Sequence, residues 1–262
     1  MERADPHVIT ERIRAARARQ PLLLLCDFDG TLTEFHPDPA AVSLSSGRRD
    51  LLLRIAAQPG TTIGIVSGRR LDDVRERTRL SAGQGFTAGF HGLEIEGPGE
   101  GFVHPDIGAA RSCAQKIADE IHPLVSPLPG VFIEDKVLSI VLHFRDAAPE
   151  HQRLASEILD RTVGAGLAAC DVRVMRGACM LEVLPNIPWT KGNAVEWIRE
   201  QVTRDGVSPF TVYIGDDVTD EDAFRAVRGY GLSIAASDRV SGADYIVDGP
   251  AAVEQILEEV AR

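Results

Sequence analysis

Residues 21–35 read PLLLLCDFDGTLTEF. The run from Leu22 to Cys26 is apolar throughout and short, which predicts a strand buried on both faces. It ends on two aspartates, Asp27 and Asp29, one residue apart, and the turn-forming pair Gly30-Thr31 follows. Ligands of open α/β sheets bind just beyond the C-terminal ends of the strands, so these carboxylates stand where chemistry is expected. Two unpartnered carboxylates would also repel each other, and a cation between them is expected.

Reading outward, strands and helices alternate. SSGRRDLLLRIAAQ has apolar residues at helical spacing after a serine cap, and TTIGIVSG is a second buried strand ending at Ser67-Gly68. RRLDDVRERTRL reads as a helix, and FTAGFHGLEIEG as a single strand with His91 near its end. This rhythm predicts an α/β, doubly wound parallel sheet with helices on both faces. At GPGEG, from about residue 98, the rhythm changes to helix, two strands, helix, two strands, which is an α+β module inserted into the first. Pro185 and Pro188 flank its exit. The alternation then resumes with TKGNAVEWIREQV, the buried strand FTVYIGDD and further helices and strands. The expected domains are 1–98 with 186–262, and an inserted 99–185.

The 262 residues suffice for such a core. With 28 basic against 39 acidic residues the net charge is −11, which argues against nucleic-acid or anionic-membrane partners. An anionic substrate would then need a locally positive site. No apolar run reaches bilayer length, and the N-terminal stretch reads as an amphipathic helix, not a secretory signal. Cys26, Cys113, Cys170 and Cys179 form no CxxC pair, so buried free thiols and a cytoplasmic location are expected, in a monomer.

If the sheet is doubly wound, strand and helix ends bring together Asp27, Asp29, Ser67, Lys191, Asp216 and Asp217. Each suits phosphoryl transfer. A carboxylate can attack phosphorus, and a second can protonate the leaving alcohol and then deprotonate water. Magnesium takes oxygen ligands, lysine offers a point charge for a phosphate oxygen, and a serine at a helix start can donate a hydrogen bond. Taken singly, Ser67 reads as a helix cap and Asp216-Asp217 as an N-cap region. Lys191 reads as a solvated helix-start lysine, although a cation at a helix N-terminus calls for an anion nearby.

In order, DFDGTL, VSGR, the helix-start lysine and IGDD resemble the four motifs of the haloacid-dehalogenase superfamily of aspartate-nucleophile phosphatases, over about residues 22–235. The resemblance implies Asp27 as nucleophile, Asp29 as general acid/base, and Ser67 and Lys191 as phosphoryl holders. It implies a Mg2+ site of Asp27, Asp29 (through its carbonyl) and Asp216, with Asp217 in support. It also makes the insert a type C2 cap. Within the motifs, Gly30, Thr31, Gly68 and Arg69 become expected substrate contacts.

IGDDVTDEDAF, FHGLEI, the cap sequences EDK and LHFR, and LEVLPNIPWTKGNAVEWI further resemble trehalose-6-phosphate phosphatases. That resemblance implies a Mg2+-dependent phosphomonoesterase acting on trehalose 6-phosphate, with Glu134, Lys136 and Glu182 on the sugar. From the residues alone, Glu134 and Lys136 share a strand face and could equally be a surface ion pair. His91 reads as a substrate contact or a structural histidine, Asp220 as a group supporting a metal site, and Trp189 as hinge packing or a stack on the sugar. His143 and Arg145 remain without a role. The alternatives are a phosphatase for another glycosyl phosphate, a phospho-acceptor signalling domain and a non-catalytic sugar-phosphate sensor.

Overall fold

The computed structural model describes residues 2–36, 38–165, 170–177, 179–240 and 242–262. In chain order the elements are β1 (Glu2–Arg3), α1 (Pro6–Arg17), β2 (Leu22–Cys26), α2 (Ser46–Ala56), β3 (Thr61–Val66), α3 (Leu71–Thr78), β4 (Phe86–Gly89), β5 (Glu94–Glu96) and β6 (Phe102–Val103). Then follow α4 (Ile107–Val125), β7 (Phe132–Asp135), β8 (Ile140–His143), α5 (Pro149–Ala165), β9 (Val172–Arg176) and β10 (Met180–Pro185). The chain finishes with α6 (Lys191–Val202), β11 (Phe210–Gly215), α7 (Glu221–Ala226), β12 (Gly231–Ala235), β13 (Tyr245–Ile246) and α8 (Gly249–Val260). Two compact units result: Met1–Val103 with Trp189–Arg262, and His104–Pro188.

The larger unit, the core, is built on one sheet in the order β1-β13-β12-β11-β2-β3-β4-β5-β6. The strands from β1 to β4 pair in parallel, as the alternating pattern predicts. The β2 side chains alternate between two apolar clusters. Leu22, Leu24 and Cys26 join one with α1, α2 and α8, and Leu23 and Leu25 join the other with α6 and α7. That is why the run lacks polar alternation. Connections from β2 to β3 outward and from β11 back to β2 place the order reversal at β2, where doubly wound sheets carry their sites.

The stretch expected as one strand over FTAGFHGLEIEG is two. Phe90, His91 and Gly92 have φ of 49°, 59° and 98°, which turns the chain, and β5 returns antiparallel to β4. The core sheet then continues beyond residue 98 to β6, whose Phe102 stacks on Trp189 with ring centroids 4.7 Å apart.

The smaller unit has an antiparallel sheet, β7-β8-β10-β9, with α4 and α5 packed on it around Ile117, Ile121, Leu142, Leu159 and Leu181. The expectation of free thiols fails here. Cys113 of α4 and Cys170, just before β9, form a disulfide, while Cys26 and Cys179 are free. Spacing alone could not reveal this, because the pair lies 57 residues apart and meets only when α4 packs on the sheet of the smaller unit. No helix among the described residues is long and apolar enough to cross a membrane.

Candidate active site

β2 and β11 lie side by side with Cys26 opposite Ile214, and the Asp27 N–H donates to the Ile214 carbonyl at 2.8 Å. The two strands therefore release Asp27 and Asp216 next to each other at the C-terminal edge of the sheet. Among the described residues, Asp27, Asp216 and Asp220 form a buried group whose ligand oxygens lie within 4.8 Å of one another.

Lys191 answers that charge. It occupies the first turn of α6, where Asn193 Oδ1 accepts the Thr190 N–H at 2.9 Å and closes a capping box. A cation there opposes the helix dipole. The position is explained by two carboxylates: Lys191 Nζ lies 3.0 Å from Asp27 Oδ1 and 2.8 Å from Asp220 Oδ1, with the lysine only 2% exposed. Burial works against the ammonium, but Asp27 and Asp220 outweigh it and hold Lys191 above its ordinary pKa. Burial pushes Asp27 up to about 8, with Lys191 opposing and Asp220 adding to the rise. Burial, followed by the nearby Asp220, pushes Asp216 up to about 6. Burial is the larger cause of both rises and the negative charge of Asp220 the smaller, and a bound cation would oppose both.

Asp220 is the residue whose importance the sequence understated. Its Oδ1 accepts the Lys191 ammonium and the Tyr213 hydroxyl, the latter at 2.6 Å, and its Oδ2 accepts the N–H groups of Asp216 and Asp217 at 3.0 Å each. Burial holds the Tyr213 phenol well above its usual range, so it remains a donor. The available signal was a tyrosine in an otherwise apolar strand, whose hydroxyl needs a buried partner. Asp217, expected in support of a metal, instead uses its Oδ1 to accept the Val218 N–H at 2.7 Å and starts a short 3-10 turn.

The carboxylate of Asp29 is held by Arg69, with Nε to Oδ2 at 2.6 Å and Nη2 to Oδ1 at 2.7 Å. Arg69 also donates to Asp73 and lies over the Phe28 ring. The expected substrate contact Arg69 is thus first a partner of the expected acid/base. The Ser67 hydroxyl is buried, accepts the Arg69 N–H at 3.2 Å and keeps its own proton to donate. The His91 N–H donates to the Ser67 carbonyl at 2.8 Å, and the imidazole lies so close to Gly68 that a Cβ there would meet it at 2.7 Å. Thr31 donates to Asp216 Oδ1 at 3.3 Å. Gly30 has φ +77°, and a Cβ on it would fall 2.4 Å from Asp216 Oδ2, so both backbone and space require glycine.

Within the smaller unit, Glu134 pairs with His143 at 2.8 Å, and Lys136 lies 3.6 Å from Glu182. Glu182 is buried and accepts the Ser139 hydroxyl at 2.7 Å. Glu134 therefore has its partner on the neighbouring strand β8 and Lys136, just past β7, has its partner on β10, and His143 gains a place that the sequence left open.

A family model described as trehalose-phosphatase matches residues 25–243. The chain belongs to this family. A trehalose-phosphate phosphatase of Mycobacterium tuberculosis (strain ATCC 25618 / H37Rv) is 34% identical over 253 residues, 94% of this chain and 62% of that one. The chain thus spans about six-tenths of the length of that relative. The solved trehalose-6-phosphate phosphatase of Aspergillus fumigatus is 25% identical with a TM-score of 0.68, covering 100% of this chain and 98% of that one. The C-terminal domain of the Candida albicans enzyme has a TM-score of 0.72 at 22% identity, over 99% and 98% of the two chains, and shares the fold.

Proposed function

We propose that this protein is a Mg2+-dependent phosphomonoesterase that converts trehalose 6-phosphate to trehalose and inorganic phosphate through an aspartyl phosphate on Asp27. The observation that carries this reading is the contact of Asp27 with the buried Lys191 at 3.0 Å, inside the carboxylate group at the edge of the family's sheet.

The donor set fits the ion. Three carboxylates offer only hard oxygen atoms, which suits magnesium and disfavours softer metals. Asp27 and Asp216 would hold it, with the Asp29 carbonyl as a further candidate, while Asp220, both of whose oxygens are engaged, would support the site by holding Lys191 and the Asp216 backbone. When bound, the ion would neutralise phosphate and carboxylate charge and so lower the barrier to attack.

This chain's own residues do the remainder. Asp27 attacks phosphorus as a carboxylate, the bond from phosphorus to the sugar oxygen breaks, and Asp29 gives that oxygen a proton. Asp29 then takes a proton from water, the hydroxide attacks phosphorus, and the bond to Asp27 breaks to release phosphate. Lys191 stays charged throughout and offsets charge on the transferring group. Asp29 must leave Arg69 at some point in the cycle, because a bidentate pair occupies both its oxygens. On this reading Ser67 and the adjacent backbone of Gly68 and Arg69 hold the phosphoryl oxygens, and Glu134, Lys136 and Glu182 hold the sugar.

Phosphate release from a panel of sugar phosphates, with Mg2+ and with EDTA, tests the reading. Turnover led by trehalose 6-phosphate and lost in EDTA supports it. Equal turnover of many sugar phosphates would leave the chemistry and remove the substrate.

A further inference from the structure

Both oxygens of Asp216 have partners. Thr31 donates to Oδ1 at 3.3 Å, and Arg239 Nη2 lies 2.5 Å from Oδ2. Arg239 comes from the β12–β13 connection, which is tied to the same residue. The Ser237 hydroxyl donates to the Asp216 carbonyl at 2.5 Å, and the Arg239 N–H donates to the Ser237 hydroxyl oxygen at 3.3 Å. The guanidinium also lies 4.6 Å above the Phe35 ring, and a Cβ on Gly30 would meet both that ring and Asp216. Phe35, Gly30 and Asp216 thus make a seat for one guanidinium.

The charge count gives the seat its meaning. With all three ionised, as an ion-bound site requires, Asp27, Asp216 and Asp220 carry three negative charges, and Lys191 supplies one positive charge from inside. The remaining two match a dication. Arg239 reduces them to one, and it does so on a carboxylate that would bind the ion. The two partners also differ in access: the Asp216 side chain is 1% exposed, whereas that of Arg239 is 47% exposed and can withdraw into water.

We propose that Arg239 sets the affinity of this site for its divalent cation by competing with the ion for Asp216. The inference rests on the metal site of the proposed function. Ion binding costs the Arg239–Asp216 pair, or leaves a guanidinium beside a dication. Either penalty weakens binding until the arginine moves away. The arginine in turn protects a buried carboxylate whenever the ion is scarce.

The test is calorimetric titration of the EDTA-treated, dialysed protein with Mg2+, backed by Mn2+ binding followed through its electron paramagnetic resonance. Parent, Arg239→Gln and Arg239→Lys are compared without substrate. Arg239→Gln should bind about three- to tenfold more tightly, and Arg239→Lys should fall between it and the parent. Thermal denaturation gives a second readout. In EDTA, Arg239→Gln should melt below the parent, and saturating Mg2+ should close or reverse the gap.

Equal affinities in all three would overturn the proposal. Weaker binding in Arg239→Gln would also overturn it, by making the arginine an aid that orients Asp216. An altered KM for the sugar phosphate with unchanged ion affinity would assign Arg239 to the substrate instead. Absence of saturable binding in the parent and both variants would remove the ion from this cluster, and the proposed cofactor with it.

Discussion

Both oxygens of Asp220 are engaged inside the protein, by an ammonium, a phenol and two backbone N–H groups. Removing that carboxylate leaves Lys191 with Asp27 alone and strands three neutral donors. Asp220→Ala should therefore destabilise by about 3–5 kcal/mol, whereas Tyr213→Phe, which removes one donor, should cost about 1 kcal/mol. Urea unfolding measures both, and equal small losses would contradict the network. Protonation gives a second prediction. Asp27 and Asp216 have folded pKa values raised to about 8 and about 6, so the folded protein binds more protons than the unfolded chain between those values and the ordinary carboxyl range. Their contribution is fully present below about pH 4 and is lost as pH rises through 6 and 8. In EDTA, unfolding free energy should fall from pH 5 to pH 8, and saturating Mg2+ should remove most of the fall. A flat profile in EDTA would contradict the crowding. Asp27, Lys191 and Asp216 were legible in the sequence because their spacing after strands and at a helix start is itself the signal. Tyr213 and Arg239 were not, and Asp220 was legible only as a group near a metal, because their roles depend on which groups the folded chain brings opposite them.

The turn after β2 carries the site's tightest steric demand. Gly30 has φ +77°, and its missing Cβ leaves room for the Asp216 carboxylate and Phe35. Gly30→Ala should cost at least about 1–2 kcal/mol from backbone conformation alone. It should also displace Asp216, so the rise in melting temperature on adding Mg2+ should shrink; an unchanged rise would contradict the steric account. β2 itself could be read directly, since its apolar run is too short for a helix and leaves no polar face for water. The β4–β5 hairpin could not. Phe90 and His91 adopt positive φ without the glycine or asparagine that announces such a turn, and only Gly92 fits the rule. The β5 and β6 strands are two or three residues long, too short for a period to show.

At the scale of the molecule, two units divide the chemistry that the sequence assigns. Phosphoryl chemistry falls to the core, and the expected sugar contacts fall to the inserted unit. Lys136→Ala should raise KM for trehalose 6-phosphate far more than for p-nitrophenyl phosphate, and equal effects on both would remove Lys136 from the sugar site. The Cys113–Cys170 bridge spans 57 residues of the inserted unit. Cys113→Ser should cost about 2–4 kcal/mol of that unit's stability, read by hydrogen exchange of β8 and β10 amides. Unchanged protection there would contradict a stabilising role. The change in strand and helix rhythm put the expected boundary near residue 98, whereas the smaller unit of the structure begins at His104. The disulfide was not legible in the sequence, since connectivity among four cysteines depends on packing that spacing does not encode.

The central claim is that Asp27 is transiently phosphorylated. Acid-quenching the protein during turnover of radiolabelled trehalose 6-phosphate with Mg2+, then mapping the label by peptide mass spectrometry, tests it most directly. The account predicts label on the peptide containing Asp27, released by hydroxylamine and absent from Asp27→Asn. Continued phosphate release by Asp27→Asn at the parent rate, or label on another residue, would contradict it.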